Sequence, residues 1–177
     1  MLEGSLVRLA ALDPDRDISD AYVAWLNDPE VFRYLGSKFP QSTVSVRHYL
    51  TGIVPPNFIA RILRRDTGAH IGNIAMQFHD PVHRNIELGI LIGDRAARGK
   101  GYGREACRLA IEYTFEHLNV HRITSGTISS NLGMQKVFAA LGFTLEGTLR
   151  QHYALDGKRL DALRYGLLRE EFASRKP

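Results

Sequence analysis

The period of hydrophobic positions changes along the chain, and each change predicts an element. Residues 5–11 alternate, with Leu6, Arg8 and Ala10 against Val7, Leu9 and Ala11, as an edge strand does. Residues 13–20 are polar and turn-like. A helix follows, with Ala21, Ala24, Trp25 and Leu26 near one face. Asn27-Asp28-Pro29 ends it, because the residue before a proline is pushed out of the helical region. Residues 31–40, including Phe32, Arg33, Tyr34 and Gly36, read as a loop or short helix. Residues 43–52 read as a second short helix, with Val46, Tyr49 and Leu50 spaced to face inward. Residues 58–63 and 69–78 read as paired strands joined by the turn Asp66-Thr67-Gly68. Residues 86–92 form a short apolar run, an interior strand interrupted only by Glu87. From 102 to 118, Ala106, Leu109, Ala110 and Tyr113 repeat at helical spacing. Residues 122–128 read as a strand. Residues 131–141 read as a helix that Gly142 closes in a left-handed cap. Residues 143–149 and 159–168 are the last strands, joined through Asp156-Gly157, and 175–177 form a frayed tail.

The stretch from 85 to 106 organises the rest. A strand runs into a loop with Gly99, Gly101 and Gly103, and a helix opens near Tyr102. First-turn N–H groups have no partner inside a helix, and the macrodipole favours an anion there. Glycine lets backbone approach a phosphate with no Cβ in the way. Arg98, Lys100 and Arg104 add positive charge. Spacing separates the possible motifs. A P-loop needs Gly-x4-Gly-Lys-Ser/Thr. Here Gly93 stands five residues before Gly99-Lys100, and Gly101 replaces the hydroxyl that would hold magnesium. A dinucleotide fingerprint would fit Gly101-Tyr-Gly103-Arg-Glu-Ala106, but it wants an acid at the end of the next strand, and residues 121–128 carry none.

Composition narrows the class. A chain of 177 residues suits one domain, 1–177, and 44% hydrophobic with 24% charged residues marks it as globular. Neither a membrane span nor a secretion signal is indicated, which points to the cytoplasm. Cys107 is the single cysteine and reads as a small buried residue. A formal charge of +4 suits an anionic ligand, and no basic run with interleaved aromatics points to nucleic acid. His117 and His121 have i,i+4 spacing, but the helix ends near 118 and no third ligand is placed beside them, so no metal is expected.

Arg98-x-x-Gly101-x-Gly103 directly after a strand resembles the pyrophosphate loop of the GNAT acyl-CoA-dependent N-acetyltransferases. The predicted element order is also similar to theirs. Four further segments resemble the RimJ/RimL-type branch of that family: Trp25-Leu26-Asn27-Asp28-Pro29-Glu30-Val31, Leu118-Asn119-Val120-His121-Arg122-Ile123, Asn131 with Leu141-Gly142-Phe143, and Glu146-Gly147-Thr148-Leu149-Arg150. The resemblance implies an α/β (α+β) fold. Its central mixed sheet, mostly antiparallel, has about seven strands, splays after the fourth and is flanked by about four helices.

The resemblance also implies roles. Gly99, Lys100, Gly101, Tyr102 and Gly103 would hold the pyrophosphate of acetyl-CoA, with Arg98 adding charge or bracing the loop. Leu91 and Ile92 would pair their backbone with the pantetheine arm, and an N–H near Leu91 would face the thioester oxygen. Asn131 and Phe138 would reach the cofactor, Phe138 at its thiol end or simply in the core. Glu87 is the candidate general base, because an acid inside an apolar run is partly buried and an ammonium must lose a proton before it can attack. Two positions depart from the family. Phe138 replaces a common tyrosine and Met134 a common serine, so the usual acids for the leaving thiolate are missing. Trp25, Asn27, Asp28, Arg33 and Tyr34, with His152 and Tyr153 opposite, would line the acceptor site. Aromatics mixed with arginine suit an amino-sugar nucleotide better than a peptide N-terminus or a polyamine. The alternatives are a ribosomal-protein-like N-terminal acetyltransferase and a CoA-binding module without turnover. A homodimer is compatible with either activity.

Overall fold

A computed structural model describes residues 1–35, 39–80 and 82–174. Gly36 and the 175–177 tail therefore lie outside the described residues. The strands are β1 (Leu2–Glu3), β2 (Val7–Ala11), β3 (Phe58–Arg64), β4 (His70–Asp80), β5 (Asn85–Ile92), β6 (Arg122–Ile128), β7 (Thr144–Leu155) and β8 (Lys158–Leu168). The helices are α1 (Asp20–Asn27), α2 (Pro29–Phe32), α3 (Thr43–Thr51), α4 (Tyr102–His117), α5 (Leu132–Leu141) and α6 (Arg169–Ala173), with a 3-10 turn at Arg95–Ala97. Hydrogen-bonded neighbours run β1-β2-β3-β4-β5-β6-β8-β7. No described helix is long and apolar enough to cross a membrane.

The expected order is present with three short additions. The two-residue β1 pairs antiparallel with β2, so the strand expected at the edge is covered. Two residues are too few for any period to show. Pro29, expected only to stop α1, also starts α2. Asp28 caps that turn by accepting from Glu30 N, and proline fits its first position because the missing N–H has no partner there anyway. The third addition is α6. In α1 the buried residue is Tyr22, while Ala21 and Ala24 are exposed. In α3 Val46 and Leu50 are buried, but Tyr49, expected inward, is 54% exposed. Its phenol reaches outward to accept from Gln77 Nε2 at 3.3 Å.

The chain packs as two compact units, residues 1–77 with 89–110 and residues 78–88 with 111–177. In the first, Leu12, Tyr22, Val46 and Leu50 form a core on which Ile18, Val23, Trp25, Ile59 and Leu91 pack. Cys107 is completely buried, which pushes its thiol up to about 12. Glu105, in the first turn of α4, accepts from the backbone N–H groups of Ser5 (2.9 Å), Leu6 (2.6 Å) and Val7 (2.8 Å). One carboxylate thus ties the β1–β2 turn to the helix that carries the glycine loop. Glu105→Ala removes all three bonds, leaves the N–H of buried Val7 without its acceptor, and is expected to cost about 1–3 kcal/mol, read as a lower urea midpoint.

In the second unit β5 pairs with β6 in parallel from Asn85–Arg122 to Glu87–Thr124. The Ser125 hydroxyl donates to Leu88 O at 2.7 Å. β6 and β8 pair along their length, and β7 pairs with β8 through two irregularities, at 145/147 and 149/153. Asp156 (φ 50) and Gly157 (φ 74) make the tight turn expected there. Asn131 N-caps α5, and Gly142 (φ 89) closes it left-handed, as the sequence suggests.

Candidate active site

The residues expected to carry the chemistry fall in two stretches, one in each unit, and each stretch has its own neighbours. In the first, β4 fixes where β5 ends. Gly93 N and Asp94 N both donate to Ile71 O, at 3.0 and 3.2 Å. Asp94 then caps the 3-10 turn through Ala96 N at 2.9 Å. Arg98 folds back on the strand, Nε donating to Ile92 O at 3.3 Å and Nη2 to Gly93 O at 3.2 Å. Gly99 (φ 74) and Gly101 (φ 86) occupy the left-handed region that favours glycine. A Cβ on Gly103 would make only ordinary contacts, 3.5 Å from Ile92. Lys100 and Arg104 are exposed. The result is a bent, side-chain-poor loop that delivers the first-turn N–H groups of α4, the arrangement that receives phosphate oxygens.

The packing against Gly93, at the end of β5, was not visible in the sequence. A Cβ on Gly93 would lie 2.1–2.3 Å from the Trp25 indole, so that ring packs directly against the glycine. His70 meets Trp25 edge-on with centroids 5.1 Å apart. His70 Nε2 is 3.0 Å from both Gly72 O and Asn73 Oδ1. Both are acceptors, so Nε2 carries the proton. Burial lowers the pKa of His70, which keeps the ring neutral at pH 7. Burial likewise pushes the Tyr22 phenol up to about 12.

The residues expected to line the acceptor site are largely engaged with other side chains and backbone groups of the chain. Asn27 Nδ2 donates to Val23 O (3.1 Å) and Gln41 O (2.8 Å), and its Oδ1 accepts from Gln41 N at 2.8 Å. Asp28 receives Arg95 through two bonds of 3.1 Å. That arginine, with the bond from Glu30 N, holds the Asp28 carboxyl below the usual carboxylate range. Arg33 pairs with Glu30 at 3.4 Å and lies 5.6 Å from the centroid of the Tyr34 ring, which is 43% exposed. Leu91 is half-buried and packs on the first unit's core.

In the second unit Glu87 is 30% exposed. Its Oε2 lies 2.6 Å from His79 Nε2, and its Oε1 accepts from Arg164 Nη1 at 3.4 Å. His79 comes from β4 and Arg164 from β8, so only the folded sheet brings them to Glu87. Phe138 is fully buried between Phe143 (5.1 Å) and Tyr165 (4.6 Å), an aromatic core contact. Asn131 Oδ1 accepts from Met134 N at 3.1 Å. Tyr153 is half-buried and packs edge-on against His152 at 4.9 Å.

Comparison with known proteins agrees with this geometry. The family model of the acetyltransferase (GNAT) domain matches residues 7–144. An uncharacterized N-acetyltransferase, p20 of Bacillus licheniformis, is 27% identical over 172 residues, covering 94% of this chain and 96% of its own. The spermidine N(1)-acetyltransferase of Vibrio cholerae is 29% identical over 94 residues, 53% of this chain and 54% of its own. A solved structure of spermidine N-acetyltransferase from Vibrio cholerae, in complex with CoA and spermine, superposes with a TM-score of 0.86 at 21% identity, covering 96% and 99% of the two chains, and so shares the fold. The chain belongs to the GNAT acetyltransferase family, and is an acyltransferase whose acyl donor is acetyl-CoA.

Proposed function

We propose that the protein is of the RimJ/RimL type and moves acetyl to the primary amine of a small molecule by direct attack in a ternary complex. The observation that carries this reading is the glycine loop, where two positive-φ glycines lead into the first turn of α4 beside exposed Lys100 and Arg104. These residues fit a pyrophosphate. Acetyl-CoA supplies an activated acetyl thioester. Gly99 to Gly103 hold its anionic end, and Arg98 keeps the loop in shape. The β5 backbone at Leu91 and Ile92 receives the amide-bearing arm, and an N–H near Leu91 stabilises the oxyanion as the amine attacks. Glu87 removes the proton that blocks the amine's lone pair.

For the acceptor, an amino-sugar nucleotide is the leading candidate. Arg33 beside exposed Tyr34 offers a cation and a ring for a phosphate and a base. Asp28 and Glu30, the acids of that segment, face Arg95 and Arg33. The spermidine acetyltransferase relative favours a second reading, a polyamine. Calorimetric titration with acetyl-CoA, then thiol release with an amino-sugar nucleotide, spermidine and an N-terminal peptide, tests both. Binding followed by release with the sugar nucleotide is the expected result. Release with spermidine alone selects the polyamine, and release with the peptide alone overturns the small-amine reading.

A further inference from the structure

We propose that His79 is the exit for the proton that Glu87 takes from the acceptor. The inference rests on Glu87 being the base. Acetylating an ammonium forms the N–C bond, breaks the C–S bond and leaves two protons to place. One goes to the CoA thiolate and the other must leave: R-NH3+ plus acetyl-CoA gives R-NH-acetyl, CoA-SH and H+. Glu87 can turn over again only when that last proton has gone.

The carboxylate has a different neighbour at each oxygen. Arg164 stands at Oε1, 3.4 Å away. A guanidinium stays charged and accepts nothing, so it can hold Glu87 but cannot carry the proton off. His79 Nε2 stands at Oε2, 2.6 Å away. An imidazole takes a proton on one nitrogen and releases one from the other at neutral pH. The His79 side chain is also the most exposed of the three, 61% against 30% for Glu87 and 49% for Arg164, so its far nitrogen has water to give the proton to. Position, protonation chemistry and solvent access select the same residue. His79 acts through Glu87 and is a positioning and relay residue.

His79→Gln separates relay from support, because a glutamine amide can still donate to Glu87 but cannot pass a proton. In the full-length chain, with whichever panel amine turns over, kcat in dilute non-transferring buffer is expected to fall about tenfold. Added free imidazole should restore it while leaving wild type unchanged, and acetyl-CoA affinity by calorimetry should not move. A wild-type rate in His79→Gln, or a loss that imidazole does not restore, overturns the relay. Glu87→Gln run alongside separates the two ideas: if it loses activity while His79→Gln does not, only the relay fails, and if it keeps activity the base assignment fails with it. No turnover with any amine, in protein that binds acetyl-CoA, overturns both.

Discussion

Glu87→Gln is expected to lower kcat for amine acetylation by about 10²–10⁴-fold while acetyl-CoA affinity stays close to wild type, a split read by thiol release and calorimetry on one preparation. The substitution keeps shape and can still accept from Arg164, so the β5–β6–β8 packing has no reason to change. What it removes is the ability to take a proton at Oε2. The loop that would hold the pyrophosphate is set by other contacts, from Ile71, Arg98 and the left-handed glycines. A residue made for structure alone would give the opposite pattern, with lower stability and an unchanged kcat in the protein that remains folded.

Gly72→Ala is expected to be the most damaging single-methyl change to the fold. A Cβ there would lie 2.1 Å from Leu91 O and 3.0 Å from Ile92 Cα. Both are backbone atoms, which cannot turn aside as a side-chain tip can, so β4 and β5 must separate. The expected cost is about 3 kcal/mol or more. At this chain length that lowers the midpoint of thermal unfolding by about 6–12 °C. Gly89→Ala, on β5, is the control, since its Cβ would meet nothing within 4 Å. Equal midpoints for the two variants would show that the close approach at Gly72 is not rigid.

Most of the fold could be read from the chain because its periods are clean. The stripe Ala106, Leu109 and Ala110, the closing Gly142 and the Asp156-Gly157 turn each act through neighbours a few residues away. The glycine loop was legible for the same reason, since strand, glycines and helix start are contiguous. What escaped depends on distance along the chain. His79 and Arg164 reach Glu87 from eight and 77 residues away. Glu105 binds amides about 100 positions earlier. Trp25 and Asp28 are expected to line the acceptor site because aromatic and acidic side chains on a polar segment commonly do. The fold also gives them Gly93, His70 and Arg95 as partners, which no local pattern encodes.

The buried Cys107 has a practical consequence. The native protein presents no accessible thiol of its own, since this is its one cysteine and solvent does not reach it. A chromogenic disulfide reagent added during turnover therefore reacts with newly liberated CoA and leaves the folded enzyme unlabelled. The same reagent without substrate becomes a clock, because colour appears only as fast as helix α4 comes away from its packing. One cuvette thus reports catalysis in one mode and opening of the core in the other.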